Sequence, residues 1–363
     1  MIDKVSKLPF FVKVSIFLVG LVFLFGILYI AQSIIVPIVF AVIIAIVLHP
    51  VVNFIVRMKI NRVVAITITL LLTVIAISAF GLLLFSQGSR FSESWPVFVD
   101  KFTAMLNQSI TWAAGYFDIN PQKIHEWITK TKVEMINTGS AAIGKSIVVL
   151  GNAVVVLFLI PVYVFIILYY HPLLIEFIHK LFAKSNKKQV QEIVSQIKSV
   201  IQRYLVGLLI EFVIVSALNA TVLLMLGIEY AILLGIIGGL LNMIPYIGGI
   251  VAVAMPMMVA VVTKSTAWYA LYVLIGYYIV QLIDNNLIVP LIVASKVKIN
   301  ALFSIIVVFA GNALWGVSGM FLSIPLLAII KLICDHIDPL KPWGFLLGDT
   351  MPNLLKIKPF RKR

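Results

Sequence analysis

Two carboxylates interrupt otherwise apolar stretches of this chain: Glu211 within 204–226 and Asp284 within 267–293. An ionisable group inside an apolar span is costly and is a functional candidate by default. Gln281, Asp284 and Asn285 stand at i, i+3 and i+4, which is one helix face. Asn286 and Pro290 follow. A carboxylate among amides can bind a small cation or a proton, or orient a polar solute, so Asp284 and Glu211 are candidates for ion coupling. Plainer uses exist. Asp284 can sit partly wet near the end of its span or pair with Lys296 or Lys298. Glu211 can share a face with Asn219 or bond to Arg203.

The remaining chemistry-bearing residues do not form an enzyme signature. His49, His125, His171, His179 and His336 build no HExxH, and no GxSxG or Walker motif is present. No catalytic residue, metal site or cofactor is expected. His49 and His171 each precede a proline at the end of a span, which reads as a helix stop rather than a metal pair. The single Cys334 rules out an intrachain disulfide and a CxxC metal site.

The elements that must position these groups follow from composition. Of 363 residues, 62% are apolar and only 12% charged, against about half and a quarter in soluble domains. The chain reads as an all-α, polytopic integral membrane protein. Its net charge of +14 reports a cationic cytoplasmic side. With no arginine-rich run interleaved with aromatics, nucleic acid is not an expected partner. Full spans are expected at 12–31, 34–48, 63–86, 147–170, 204–226 and 267–293, about six in all. Residues 14–31 are too long for a signal h-region and read as a retained span.

Basic residues in 1–13, 49–62, 171–203 and the tail place these segments and both termini inside. The segment 88–146 is nearly balanced, with six basic and five acidic residues, and is placed outside. Five regions result: an N-terminal three-helix region 1–87, an external amphipathic helical cap 88–146, a fourth span with a cytoplasmic interfacial helix 147–203, a core 204–333, and a basic tail 334–363.

Two longer apolar stretches, 231–262 and 301–333, are interrupted. The first runs through Asn242, Pro245, Tyr246, Gly248 and Gly249; the second through Gly311, Asn312, Trp315, Gly316 and Gly319. Asn242 and Asn312 are 70 residues apart, as are Gly249 and Gly319, which marks a weak internal repeat. At 1.5 Å per residue, 231–243 reaches about 20 Å and 301–311 about 16 Å, short of a hydrocarbon core of about 30 Å. Each stretch can therefore be a re-entrant helical hairpin, with its unwound tip buried in protein or lining a watery cavity. The units 204–262 and 274–332 would then be inverted repeats, a transporter pattern with the solute site between them. Two proline-kinked ordinary spans are the alternative. Hairpins place 21 of 28 Lys/Arg inside and ordinary spans 20 of 28, so charge does not separate them.

The chain resembles the bacterial autoinducer-2 exporter family of predicted permeases. The resemblance lies in Arg203-Tyr204-x-x-Gly207, Asn242-Met243-Ile244-Pro245-Tyr246-Ile247-Gly248, Asp284-Asn285-Asn286-x-x-x-Pro290 and Leu314-Trp315-Gly316-Val317-Ser318-Gly319-Met320-Phe321-Leu322-Ser323-Ile324-Pro325. It departs from the family pattern at Gly249, Ala294-Ser295 and Asn300. The resemblance implies a bacterial inner-membrane transporter, oligomeric, of the kind associated with autoinducer-2 export or with Na+/H+ antiport. The expected function is transport of a small polar solute by alternating access, with the lipid bilayer, the solute, and Na+ or H+ as partners, in a homo-oligomer. The binding candidates are Asn242, Pro245, Tyr246, Gly248, Gly249, Gln281, Asp284, Asn285, Asn312, Trp315, Gly316 and Gly319. A Na+/H+ antiporter and a non-transporting membrane scaffold are the other readings.

Overall fold

The computed structural model describes residues 9–117, 126, 128–133, 158–178, 180, 187–244, 248–264, 266, 268–293 and 299–349. Among these every regular element is helical. The helices are α1 (Phe10–Ile30), α2 (Gln32–Arg57), α3 (Arg62–Phe117), α4 (Phe158–Ile178), α5 (Lys187–Met225), α6 (Ala231–Asn242), α7 (Gly248–Thr263), α8 (Trp268–Ile283), α9 (Ala301–His336) and α10 (Lys341–Leu347). Seven of the described helices are long and apolar enough to cross a membrane. Their outer faces carry exposed apolar side chains throughout, such as Phe17 and Phe23 on α1 and Ile75 and Leu82 on α3, the surface that lipid covers.

Two expected boundaries fall inside continuous helices. The division at 87/88 lies within α3, which runs 56 residues, and the division at 203/204 lies within α5, which runs 39. In both, the side chains change from apolar to amphipathic while the backbone keeps one helical period, so no break is imposed. Most of the cap beyond 117, including Asn120-Pro121, and residues 147–157 lie outside the described residues, as does the tail from 350.

The interrupted stretches both turn back on themselves. In the first, α6 runs antiparallel along α5: a Cβ on Gly235 would meet Ala220, one on Gly239 would meet Ser216, and Asn242 bonds to Glu211. The far end of α7 returns to the start of α6. Ile228, Ala231, Leu233 and Leu234 share one buried cluster with Met258, Val259, Ala260 and Val262, and Gly227 lies beside the Lys264 ammonium. Phe91, Trp95 and Phe98 of α3 hold this base against Tyr230, whose ring lies 5.3 Å from that of Phe91. Ser94 and Tyr230 join hydroxyls at 3.0 Å.

The second reversal lies inside α9. The 36 residues would extend about 54 Å as one straight helix, yet the Ser323 hydroxyl donates to the carbonyl of Val307 at 2.8 Å, sixteen residues back. Gly311 and Gly319 are likewise in contact. The turn is made at Trp315 (φ −135°, ψ 18°) and Gly316 (φ 59°, ψ −141°). Gly316 sits where a side chain is disfavoured, and glycine removes that penalty.

The two hairpins flank α5 at different levels. Leu223, near one end of α5, packs with the base of α6–α7. Ile201, Tyr204, Leu205 and Leu208 pack with Val308, Leu322 and Ile324 of α9. Met243 beside the first tip and Trp315 at the second both pack against this latter cluster. A third cluster joins Ala41, Ala45 and Val52 of α2 with Ala65 and Ile66 of α3 and Val164 and Leu168 of α4.

Candidate functional site

The first tip ends on a polar cluster. Asn242, the last residue of α6, donates from its Nδ2 to Glu211 Oε1 at 3.1 Å and to Asp284 Oδ2 at 2.8 Å. One amide thus bridges two carboxylates that lie 73 positions apart in the chain. Glu211 is 5% exposed and Asp284 2%, which removes the partly wet reading of Asp284. Arg203 is exposed on α5, and Glu211 takes its hydrogen bond from Asn242 instead. Gln281 Nε2 lies 3.4 Å from Asp284 Oδ2 and 3.3 Å from Asn285 Oδ1, and its side chain covers Gly249.

The backbone at Asp284 is itself unusual. Residues Asp284–Val293 form a π-helix continuing from α8. Two local causes are visible. Pro290 has no N–H to give the helical ladder, and Asn286 Nδ2 donates to the carbonyl of Leu282 at 2.8 Å, competing with the backbone for that acceptor. Wide helical turns of this kind often occur at functional sites.

Several polar atoms around the cluster lack a partner among the described residues. Asp284 Oδ1, Ser216 Oγ, Asn219 Oδ1 and Tyr277 Oη are buried without a hydrogen bond. They line up along α6. Asn219 and Tyr277 lie against Gly238, Ser216 against Gly239, and Glu211 with Asp284 against Asn242. Only glycine lets α6 approach Ser216 so closely. Each orphaned group carries a desolvation cost of about 1–3 kcal/mol. Among the described residues the arrangement supplies carboxylates, amides and hydroxyls and no basic side chain, a surface suited to a cation, a proton or a hydrogen-bonding solute.

The candidate residues thus separate into three groups. Asn242, Gln281, Asp284, Asn285, Glu211 and Gly249 converge. Gly248 packs at the same turn, against the Leu241 carbonyl, whereas Pro245 and Tyr246 lie outside the described residues. The third group lies on α9 and makes other contacts. Trp315 Nε1 donates to the carbonyl of Leu28 at 3.0 Å, Asn312 and Gly316 are exposed, and Gly319 is packed on Gly311. Sequence reasoning missed Ser216 and Tyr277. Tyr277 stands seven residues before Asp284, two turns along the same face, which was the available signal.

Comparison with known proteins places the chain among bacterial transport proteins. The chain is 24% identical to YrrI of Bacillus subtilis over 258 residues, 69% of this chain and 70% of that protein. It is 27% identical to YueF of the same organism over 152 residues, 42% of this chain and 41% of YueF. It is 30% identical to the AI-2 transport protein TqsA of Escherichia coli over 124 residues, 34% of this chain and 36% of TqsA. The model of the AI-2E family transporters matches residues 18–338. With that match spanning nearly the whole length, this multi-pass membrane protein belongs to the AI-2E transporter family.

Proposed function

We propose that this chain is a secondary transporter of the bacterial inner membrane in which Glu211, Asn242 and Asp284 bind a proton or a small cation during each cycle. The observation that carries this reading is the single amide bridging two buried carboxylates. Two anions a few ångströms apart in a low-dielectric site repel, and a neutral amide cannot balance both. A shared proton or a cation such as Na+ does so, and the unpartnered Asp284 Oδ1 is a ready ligand atom.

In this reading the hairpins are re-entrant and dip from opposite faces, the α6–α7 hairpin from outside and the α9 hairpin from inside, with both termini cytoplasmic. That fits the placement of their bases at different levels of α5. The solute is small and polar, of the autoinducer-2 class that the relative TqsA is named for, and it moves outward by alternating access between the tips, in a homo-oligomer. Closure of α6 over Ser216 and Asn219 represents one end state. Simple Na+/H+ antiport is the second reading, favoured by the same carboxylate pair.

The test is reconstitution into proteoliposomes. With an imposed H+ or Na+ gradient, Asp284→Asn abolishes coupled uptake while the variant retains wild-type folding by thermal unfolding. Unchanged gradient-driven flux in both Asp284→Asn and Glu211→Gln would remove the cluster from the mechanism. Collapse of a pH gradient on Na+ addition without any organic solute favours the antiporter.

A further inference from the structure

A second cluster of charge lies away from the carboxylates and is wholly basic. His49 of α2, Arg62 at the start of α3, His171 of α4 and Lys198 of α5 come together from four helices. The His49 and His171 rings lie 4.5 Å apart, centroid to centroid. Lys198 Nζ is 2.9 Å from His49 Nδ1. An ammonium only donates, so Nδ1 accepts and the ring proton resides on Nε2. Asn53 Nδ2 is 3.1 Å from the same nitrogen. Arg62 donates to the carbonyl of Leu168 at 2.7 Å, one turn before His171.

No carboxylate answers this charge among the described residues. The charged groups acting on His49 are Lys198, His171 and Arg62, and those acting on His171 are Lys198 and Arg62. The ion pairs of the described residues lie elsewhere, at Lys132–Asp100, Lys180–Glu176, Lys331–Asp335 and Lys341–Asp338. All four basic groups are half-buried. Holding Lys and Arg together with partial loss of water and no counter-charge is unfavourable unless an anion completes the site. Their level is also common. His49 and His171 immediately follow the apolar stretches 34–48 and 147–170, Arg62 immediately precedes 63–86, and Lys198 lies six residues before 204–226. These are the ends that the basic loops assign to the cytoplasmic face, where phosphates of anionic lipids concentrate.

We propose that His49, Arg62, His171 and Lys198 form a binding site for a phosphate group at the cytoplasmic membrane boundary. Lys198 and Arg62 supply charge, His49 offers its Nε2–H as a donor, and His171 adds a second imidazole to the wall. The phosphate is either the headgroup of an anionic lipid or inorganic phosphate. The four donors come from four helices, so an occupied site ties α2, α3 and α4 to α5, the helix that carries Glu211.

The experiment uses the full chain. It is placed in nanodiscs of phosphatidylcholine with or without phosphatidylglycerol, and in detergent with or without inorganic phosphate. Thermal unfolding and retained lipid are measured. A lipid headgroup ligand raises the Tm in the phosphatidylglycerol nanodiscs only, while a soluble ligand raises it in detergent with phosphate. Lys198→Gln abolishes the rise and lowers retained phosphatidylglycerol by more than the roughly fivefold that general attraction of one basic group to an anionic surface supplies; Lys180→Gln, on an exposed face, keeps the rise and loses no more than that. Lys198→Glu supplies the anion from within, so its Tm no longer responds to either probe yet does not fall below that of Lys198→Gln. The proposal is overturned if neither probe shifts the wild-type Tm. It is also overturned if Lys180→Gln and Lys198→Gln lose lipid equally, which marks general attraction to a charged surface.

Discussion

The α6–α7 hairpin turns beside Asn242, whose amide holds two buried carboxylates from α5 and α8. The α9 hairpin turns at Trp315 and Gly316, where the indole N–H donates to the Leu28 carbonyl at the end of α1. Its arms are fastened by the Ser323 hydroxyl, within hydrogen-bond distance of both Val307 and Gly319 carbonyls. The spacing of the two tips is conserved within the chain at 70 residues, while their chemistry is not. A repeat of backbone breaks therefore does not entail a repeat of function. Among the described residues the first hairpin closes on charge with several buried polar atoms left unpaired, and the second closes on apolar packing with the Ser323 hydroxyl and the Trp315 indole N–H both bonded.

The comparison breaks most sharply at Asn242. Asn242→Leu leaves Glu211 and Asp284 without their shared donor, so gradient-driven flux in proteoliposomes falls to background. The Tm also drops, by the equivalent of about 1–3 kcal/mol. Next in size is Gly316→Ala. A side chain at φ 59°, ψ −141° carries a strain of about 1–3 kcal/mol, read as a lower Tm, whereas alanine at the exposed Gly81 of α3, with open space where its Cβ would stand, leaves the Tm at or above that of wild type. Smaller again is Trp315→Phe, which keeps an aromatic side chain of smaller volume and removes the indole N–H donor to Leu28; loss of about 1 kcal/mol is expected from one interhelical hydrogen bond. Ser216→Ala has the smallest effect on stability. It deletes an orphaned hydroxyl under Gly239, so its Tm stays level or rises, while removal of the well-bonded Ser323 hydroxyl lowers it. Equal losses in the two serine variants would erase the distinction between the hairpins.

Much of this was legible in the sequence because it depends on local rules. Asn, Pro and Gly weaken a helix where they cluster, so the breaks near 245 and 315 were visible, and hydropathy located the long apolar helices. Asp284 with Gln281 and Asn285 followed from helical spacing. Tertiary pairings were not legible. Nothing in the sequence brings Asn242 to Glu211, 31 positions away, because that contact depends on α6 running antiparallel along α5 in one register. Nor did it show that α3 and α5 continue past their apolar segments, since an amphipathic run extends a helix without any stop signal. The prolines before which His49 and His171 stand read as helix stops, yet α2 and α4 continue through Pro50 and Pro172. The two rings meet because those helices pack together.

The length of α3 has one more consequence. Its 56 residues measure about 84 Å along the axis, close to three times the hydrocarbon thickness. A mast of that height is stepped against the base of the first hairpin by Phe91, Phe98 and the Ser94–Tyr230 contact. Pro96 stands inside α3 between Phe91 and Phe98, so any bend of the long helix at that proline falls on the joint where α6 begins.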